Sequence, residues 1–193
     1  MQFDIKYCGV VVLCVALLLV SCGGDAPRSR SDSGGTPVAT RPSEPGTSKE
    51  LTDLLVVPVA SGLNVTETGA VEIHVSNADD LYGLHLTLKF DPSLLRVQDL
   101  APEQQGVQIA PGALPAPDFT VRNQADNEQG VIEYAVTQLN PREPAHGDGV
   151  VAVIQFQGVN SGVSALTLLY AKLSNPDGLE MPVQVVDATL RIN

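Results

Sequence analysis

Few side chains in this sequence are equipped for chemistry. There are three histidines, His74, His85 and His146, and three cysteines, Cys8, Cys14 and Cys22. His74 and His85 sit in VEIHVS (71–76) and LYGLHLTLKF (81–90), which alternate apolar and polar residues as half-buried strands do. If these two formed a simple hairpin, Glu72 would lie opposite His85 with His74 nearby, and two imidazoles with a carboxylate can hold a metal. The simpler reading is solvated side chains on a wet strand face, and no metal centre is expected. His146 falls in PREPAHGDG, whose Pro and Gly content marks an exposed turn. A nucleophilic triad needs Ser or Cys beside a His oriented by a carboxylate, and no Gly-x-Ser-x-Gly elbow is present. The acidic pairs Asp79-Asp80 and Asp126/Glu128 fall at loop ends, where turn formation accounts for them. Asp126-Asn127-Glu128 is oxygen-rich, but a calcium loop supplies five or six convergent oxygens, so a β-turn is the simpler expectation. These residues predict no enzyme and no cofactor, with calcium the one ion that has candidate ligands.

The cysteines point elsewhere. Lys6 precedes the uncharged apolar run GVVVLCVALLLV (9–20), which is short for a membrane-spanning helix. The run ends in Leu19-Val20-Ser21-Cys22, a branched apolar residue, a small residue and then a thiol. That order matches a bacterial lipobox: residues 1–21 would be a cleaved signal peptide, and Cys22 would carry the lipid. Cys8 and Cys14 would leave with the signal, so the mature chain would have neither a disulfide nor a Cys-based metal site. Residues 22–53 follow as a linker rich in Gly, Ser, Thr and Pro, too poor in apolar surface to offset its own ordering entropy. Such a chain spans roughly 30 Å on average and about 100 Å when stretched. The expectation is a lipid-anchored protein of the bacterial cell envelope, exported and surface-exposed, whose only membrane contact is through its N-terminal lipid.

Residues 54–193 remain as one domain. They hold 16 Asp and Glu against 6 Lys and Arg, a net charge of −10 of the chain's −11. That balance argues against nucleic acid as a partner. No segment keeps a 3.6-residue period over ten residues, whereas nine short segments read as strands: 54–59, 71–76, 81–90, 94–100, 118–122, 131–138, 149–157, 163–173 and 183–192, the last divided near Asp187. The breaks, Asn77-Ala-Asp-Asp and His146-Gly-Asp-Gly among them, carry turn chemistry. The predicted fold is all-β, a nine-stranded antiparallel sandwich. Trp is absent, so its core must be aliphatic. The strand at 84–90 ends in Phe90-Asp91-Pro92. Pro92 fixes φ and Asp91 can accept from the next backbone N–H groups, so Asp91 and Pro92 are expected to form a structural corner leading to the other sheet through Leu94, Leu95 and Val97. Tyr82, Phe90, Phe119, Tyr134, Phe156 and Tyr170 mostly fall on the apolar parity and read as core.

An ordered series of pieces then resembles a cohesin domain: Val71–Val75, Leu81-Tyr82-Gly83, the alternating strand closing on Phe90-Asp91-Pro92, LLRVQDL, a Gly/Pro-rich loop, DNEQGVIEYAV, GDGVVAVIQFQ and ATLRI. The resemblance covers about residues 54–193. It implies a flattened jelly roll and a non-catalytic function, the binding of a dockerin-type module that brings glycan-degrading or other secreted proteins to a surface. It also implies a binding face made by the outward residues of two strands, here His85 and Thr87, then Glu133, Ala135 and Thr137. His85 stands where the family often has a carboxylate or amide. The related carbohydrate-binding modules share the fold, so direct polysaccharide binding is the alternative, and a structural envelope lipoprotein the second. The scarcity of aromatic residues disfavours a sugar-stacking platform.

Overall fold

The structure is a computed structural model that describes residues 51–193. The expected signal peptide, Cys22 and the expected linker up to residue 50 lie outside the described residues. Twelve strands are formed among those described: β1 Thr52–Pro58, β2 Thr68–Leu81, β3 Gly83–Lys89, β4 Leu95–Val97, β5 Ala110–Pro111, β6 Phe119–Asp126, β7 Val131–Thr137, β8 Ala145–Gly158, β9 Gly162–Ser174, β10 Glu180–Met181, β11 Val183–Val186 and β12 Ala188–Ile192. They build two sheets. The first runs β11-β1-β2-β8-β4, with β5 also on β8; the second runs β10-β9-β3-β7-β6, with β12 also on β9.

The all-β sandwich is thus as expected, with corrections of detail. Twelve strands replace nine because β5 and β10 add two-residue pieces and because 183–192 divides into β11 and β12, which join different sheets. The division falls at Asp187, whose Oδ1 accepts the Leu168 N–H at 2.9 Å. The sandwich is not wholly antiparallel, since β11 pairs with β1 in parallel. Strand β1 starts at Thr52, inside the segment assigned to the linker. The expected turns at 77–80 and 146–149 are no chain reversals. They face each other inside the long β2–β8 ladder, where Ala78 pairs with Gly147 and Leu81 with Ala145 across register shifts. Their Asn, Asp and Gly residues serve bulges instead, with positive φ at Asn77, Asp80 and Gly147.

Period-2 alternation packs the two sheets together. Leu86, Leu88 and Phe90 meet Ile132, Tyr134, Val71, Ile73, Ile154 and Phe156 in one core cluster. Phe90 and Phe156 stack edge to face at 5.2 Å across the sheets. The Asp91–Pro92 corner is built as predicted. Asp91 Oδ1 accepts from Ser93 N at 2.9 Å and Ser93 Oγ at 2.6 Å, while the Asp91 carbonyl accepts from Leu95 N at 3.0 Å. The Ser93 bonds hold the Asp91 carboxyl below its ordinary value of 3.8. The chain then enters the first sheet through the buried Leu95 and Val97. Gly130 closes the corner from the far side: it has φ +67°, and a Cβ there would lie 2.4 Å from the Phe90 carbonyl oxygen and 2.7 Å from Pro92 Cδ.

Candidate functional site

The outward face of the second sheet is assembled by register. His85 on β3 sits between Ala135 on β7 and Lys172 on β9. Thr87 sits between Glu133 and Tyr170, and Thr137 lies across from Gly83 and, on its other side, Phe119. All five residues singled out from the sequence, His85, Thr87, Glu133, Ala135 and Thr137, therefore lie on one face of the adjacent pair β3–β7. They do so because their neighbours Leu84, Leu86, Tyr134 and Val136 are buried, and alternation turns the intervening side chains outward.

The central stripe of the face is made of His85, Thr87, Ala135 and Thr137, with ion pairs at its flanks. The His85 and Tyr170 rings stand edge to face at 4.9 Å and 66°. Ala135 is small and only 7% exposed, although it lies on the outward side, between His85 and the residue opposite it on β6, Arg122. On one flank Arg122 Nε donates to Glu133 Oε2 at 2.8 Å. On the other, Lys172 Nζ lies 3.5 Å from Glu180 Oε2. Lys89 Nζ donates to the Gln129 carbonyl. Thr137 Oγ1 donates to the Gln138 carbonyl at 3.1 Å. A shallow hollow of about 200 Å³ lies beside the stripe, lined by Arg122, Gln124, Asp126, Gln129, Val131 and Glu133.

Two aromatic residues assigned to the core belong instead to this surface. Phe119 is 54% and Tyr170 44% exposed. Each follows from a bulge. On β9 the register slips between Leu88–Leu168 and Thr87–Tyr170, so Leu169 is the extra residue and the parity after it inverts. On β6 Val121 plays the same part between Thr120 and Arg122. Phe90, Tyr134 and Phe156 are buried as expected.

The other candidates separate. Glu72 and His74 share β2 and bond to each other at 2.7 Å, but His85 lies in the other sheet, so the trio does not converge. Asp126 Oδ1 accepts from the Glu128 and Gln129 N–H groups at 2.8 Å each, and Asn127 is tied to both Val97 N and Val97 O. That segment is built as a turn that engages Asp126 Oδ1 and Asn127 Oδ1. His146, expected to be exposed, is exposed and stands beside Asp79, with Nδ1 3.2 Å from Oδ1, and near Asp80. The three could offer ligand atoms within 4.8 Å of one another, all from exposed side chains. Sequence reasoning missed this cluster because it arises only from the β2–β8 pairing.

Two β-sheets packed face to face leave this mixed face on the outside of the second sheet. A family model for the cohesin domain matches residues 55–192, and the chain belongs to the cohesin family. The cohesin family is one of non-catalytic protein-binding modules. The fold is similar to that of the non-cellulosomal cohesin from the hyperthermophilic archaeon Archaeoglobus fulgidus, with TM-score 0.60 and 19% identity, covering 75% of this chain and 92% of that one. It is also similar to a type II cohesin from the cellulosome of Acetivibrio cellulolyticus, with TM-score 0.63 and 18% identity over 73% and 95% of the two chains. A third likeness is to a chain of a type I cohesin–dockerin complex from Clostridium thermocellum, with TM-score 0.61 and 14% identity over 75% and 100%. No curated protein matches the sequence.

Proposed function

We propose that this cohesin domain binds a dockerin-type protein module on the outward face of β3 and β7, and that Cys22 anchors it by lipid to the bacterial envelope, where it tethers glycan-degrading or other secreted proteins. The observation that carries the binding reading is the single surface formed by His85, Thr87, Glu133, Ala135 and Thr137, bordered by the exposed Tyr170 and Phe119. A face with a weakly polar centre, aromatic residues at its borders and charged pairs at its edges is the anatomy of a protein interface. The membership in the cohesin family and the dockerin held in the Clostridium thermocellum complex support the choice of partner.

The direct test titrates dockerin modules onto the full chain and onto the double variant His85→Glu, Thr137→Arg. Affinity falls at least tenfold if this face is the site, and unchanged affinity overturns it. Exposure of Phe119 and Tyr170 is the one observation favouring the polysaccharide alternative. Retention on an insoluble glycan that is lost in Tyr170→Ala would select that reading. For the anchor, Cys22→Ser is expected to release the protein from the membrane fraction and to abolish labelling by a radioactive fatty acid.

A further inference from the structure

Charge on the proposed face is distributed unlike charge on the rest of the domain. Three of the six Lys and Arg residues after residue 53, Lys89, Arg122 and Lys172, stand on the β9-β3-β7-β6 face. That face carries three carboxylates, Asp126, Glu133 and Glu180. With Glu180 on β10 and Arg191 on β12 counted, the second sheet carries four cations against three carboxylates, so the acidic excess of residues 54–193 lies elsewhere on the domain.

At the centre, His85 has the edge of Tyr170 against its ring but no hydrogen-bond partner among the described residues. The groups facing it are known from every side. Lys172 and Tyr170 come from β9, Ala135, Thr137 and the diagonal Glu133 from β7, Thr87 and Gly83 from its own strand, and Arg122 from β6 beyond Ala135. The nearby acids are committed, Glu133 to Arg122 at 2.5 Å and Glu180 to Lys172. The Lys172–Glu180 contact is long, at 3.5 Å, between exposed side chains, so it is easily exchanged for another carboxylate. A partner that covers this stripe must satisfy the imidazole or leave it desolvated and unpaired. A partner cation would meet Lys172 and Arg122 at contact, and like charges across an interface are costly.

Resting on the dockerin reading above, we infer that the partner module is acidic at its contact surface and lays a carboxylate over the His85–Lys172 pair. Protonated His85 donates to that carboxylate, so the complex tightens as pH falls from 8 to 5.5. The expected gain in affinity between pH 8 and pH 5.5 is about five- to tenfold.

The experiment uses the full chain and recombinant dockerin modules from the same genome, with affinity measured at both pH values. The expected result is that gain for the wild type, a flat pH profile for His85→Asn, and at least tenfold weakening for Lys172→Glu. The wild-type-to-variant comparison is of ratios between pH values, so a general loss of affinity in His85→Asn does not mimic it. Modules that bind without pH dependence, or that keep it in His85→Asn, overturn the carboxylate inference while leaving the dockerin reading intact. Modules that bind at neither pH overturn the dockerin reading, and this inference with it.

Discussion

Tyr134 shows how a single buried atom shapes stability. It is fully buried, and its hydroxyl has no hydrogen-bond partner among the described residues. Leaving such a group unpaired in a core costs about 1–3 kcal/mol. Tyr134→Phe is therefore expected to raise stability by roughly 1 kcal/mol, read as a higher urea midpoint with an unchanged slope. Burial also pushes the phenol well above its ordinary value of 10.0. The native state then holds a proton that the unfolded chain releases above pH 10, so stability falls as pH rises beyond that point, and less steeply in the Phe variant. Carboxylates act in the opposite sense. Arg142, which bonds Asp118 at 2.6 and 2.7 Å, keeps that carboxyl below 3.8, as Ser93 does for Asp91. Both contribute stability at neutral pH that is lost as pH drops below about 4. Asp118→Asn is expected to make the acid-unfolding profile shallower.

Among the elements, the corner after β3 and the split before β12 are the most exposed to single changes. Gly130→Ala forces a side chain into the Phe90 carbonyl and Pro92 at a positive φ, and a loss of more than about 2 kcal/mol is expected in chemical denaturation. Asp187→Ala strands the Leu168 N–H and is expected to cost about 1–2 kcal/mol. The corner was legible from Phe90-Asp91-Pro92 because its bonds are local, between residues two to four apart. The shared face of β3 and β7 was legible too, since apolar residues recur at every second position from Leu84 to Leu88 and from Ile132 to Val136, with only the small Ala135 covered on the outward side. Phe119 and Tyr170 were not, because one extra residue in each of β6 and β9 reverses parity and leaves no local mark in composition. The long β2–β8 ladder was hidden for a related reason: Asn, Asp and Gly favour bulges by the same φ > 0 that favours turns.

At the scale of the molecule, one core cluster joins both sheets, so the domain should unfold as a single unit. A chain cut to residues 51–193 is expected to show one thermal transition within about 2 °C of the full chain. A midpoint lower by more than that would assign residues before 51 a share in the fold. The placement of β1 has a mechanical corollary. The first strand is no edge: Thr52–Leu55 ladders with Val183–Val186 on one side, and Asp53–Pro58 with Val71–Ser76 on the other. A pull arriving along the chain from before Thr52 runs lengthwise through two ladders at once, so their bonds are sheared together and cannot be unzipped one at a time. A domain gripped on its opposite sheet by a partner and tugged from its leading end would resist rupture where the load enters.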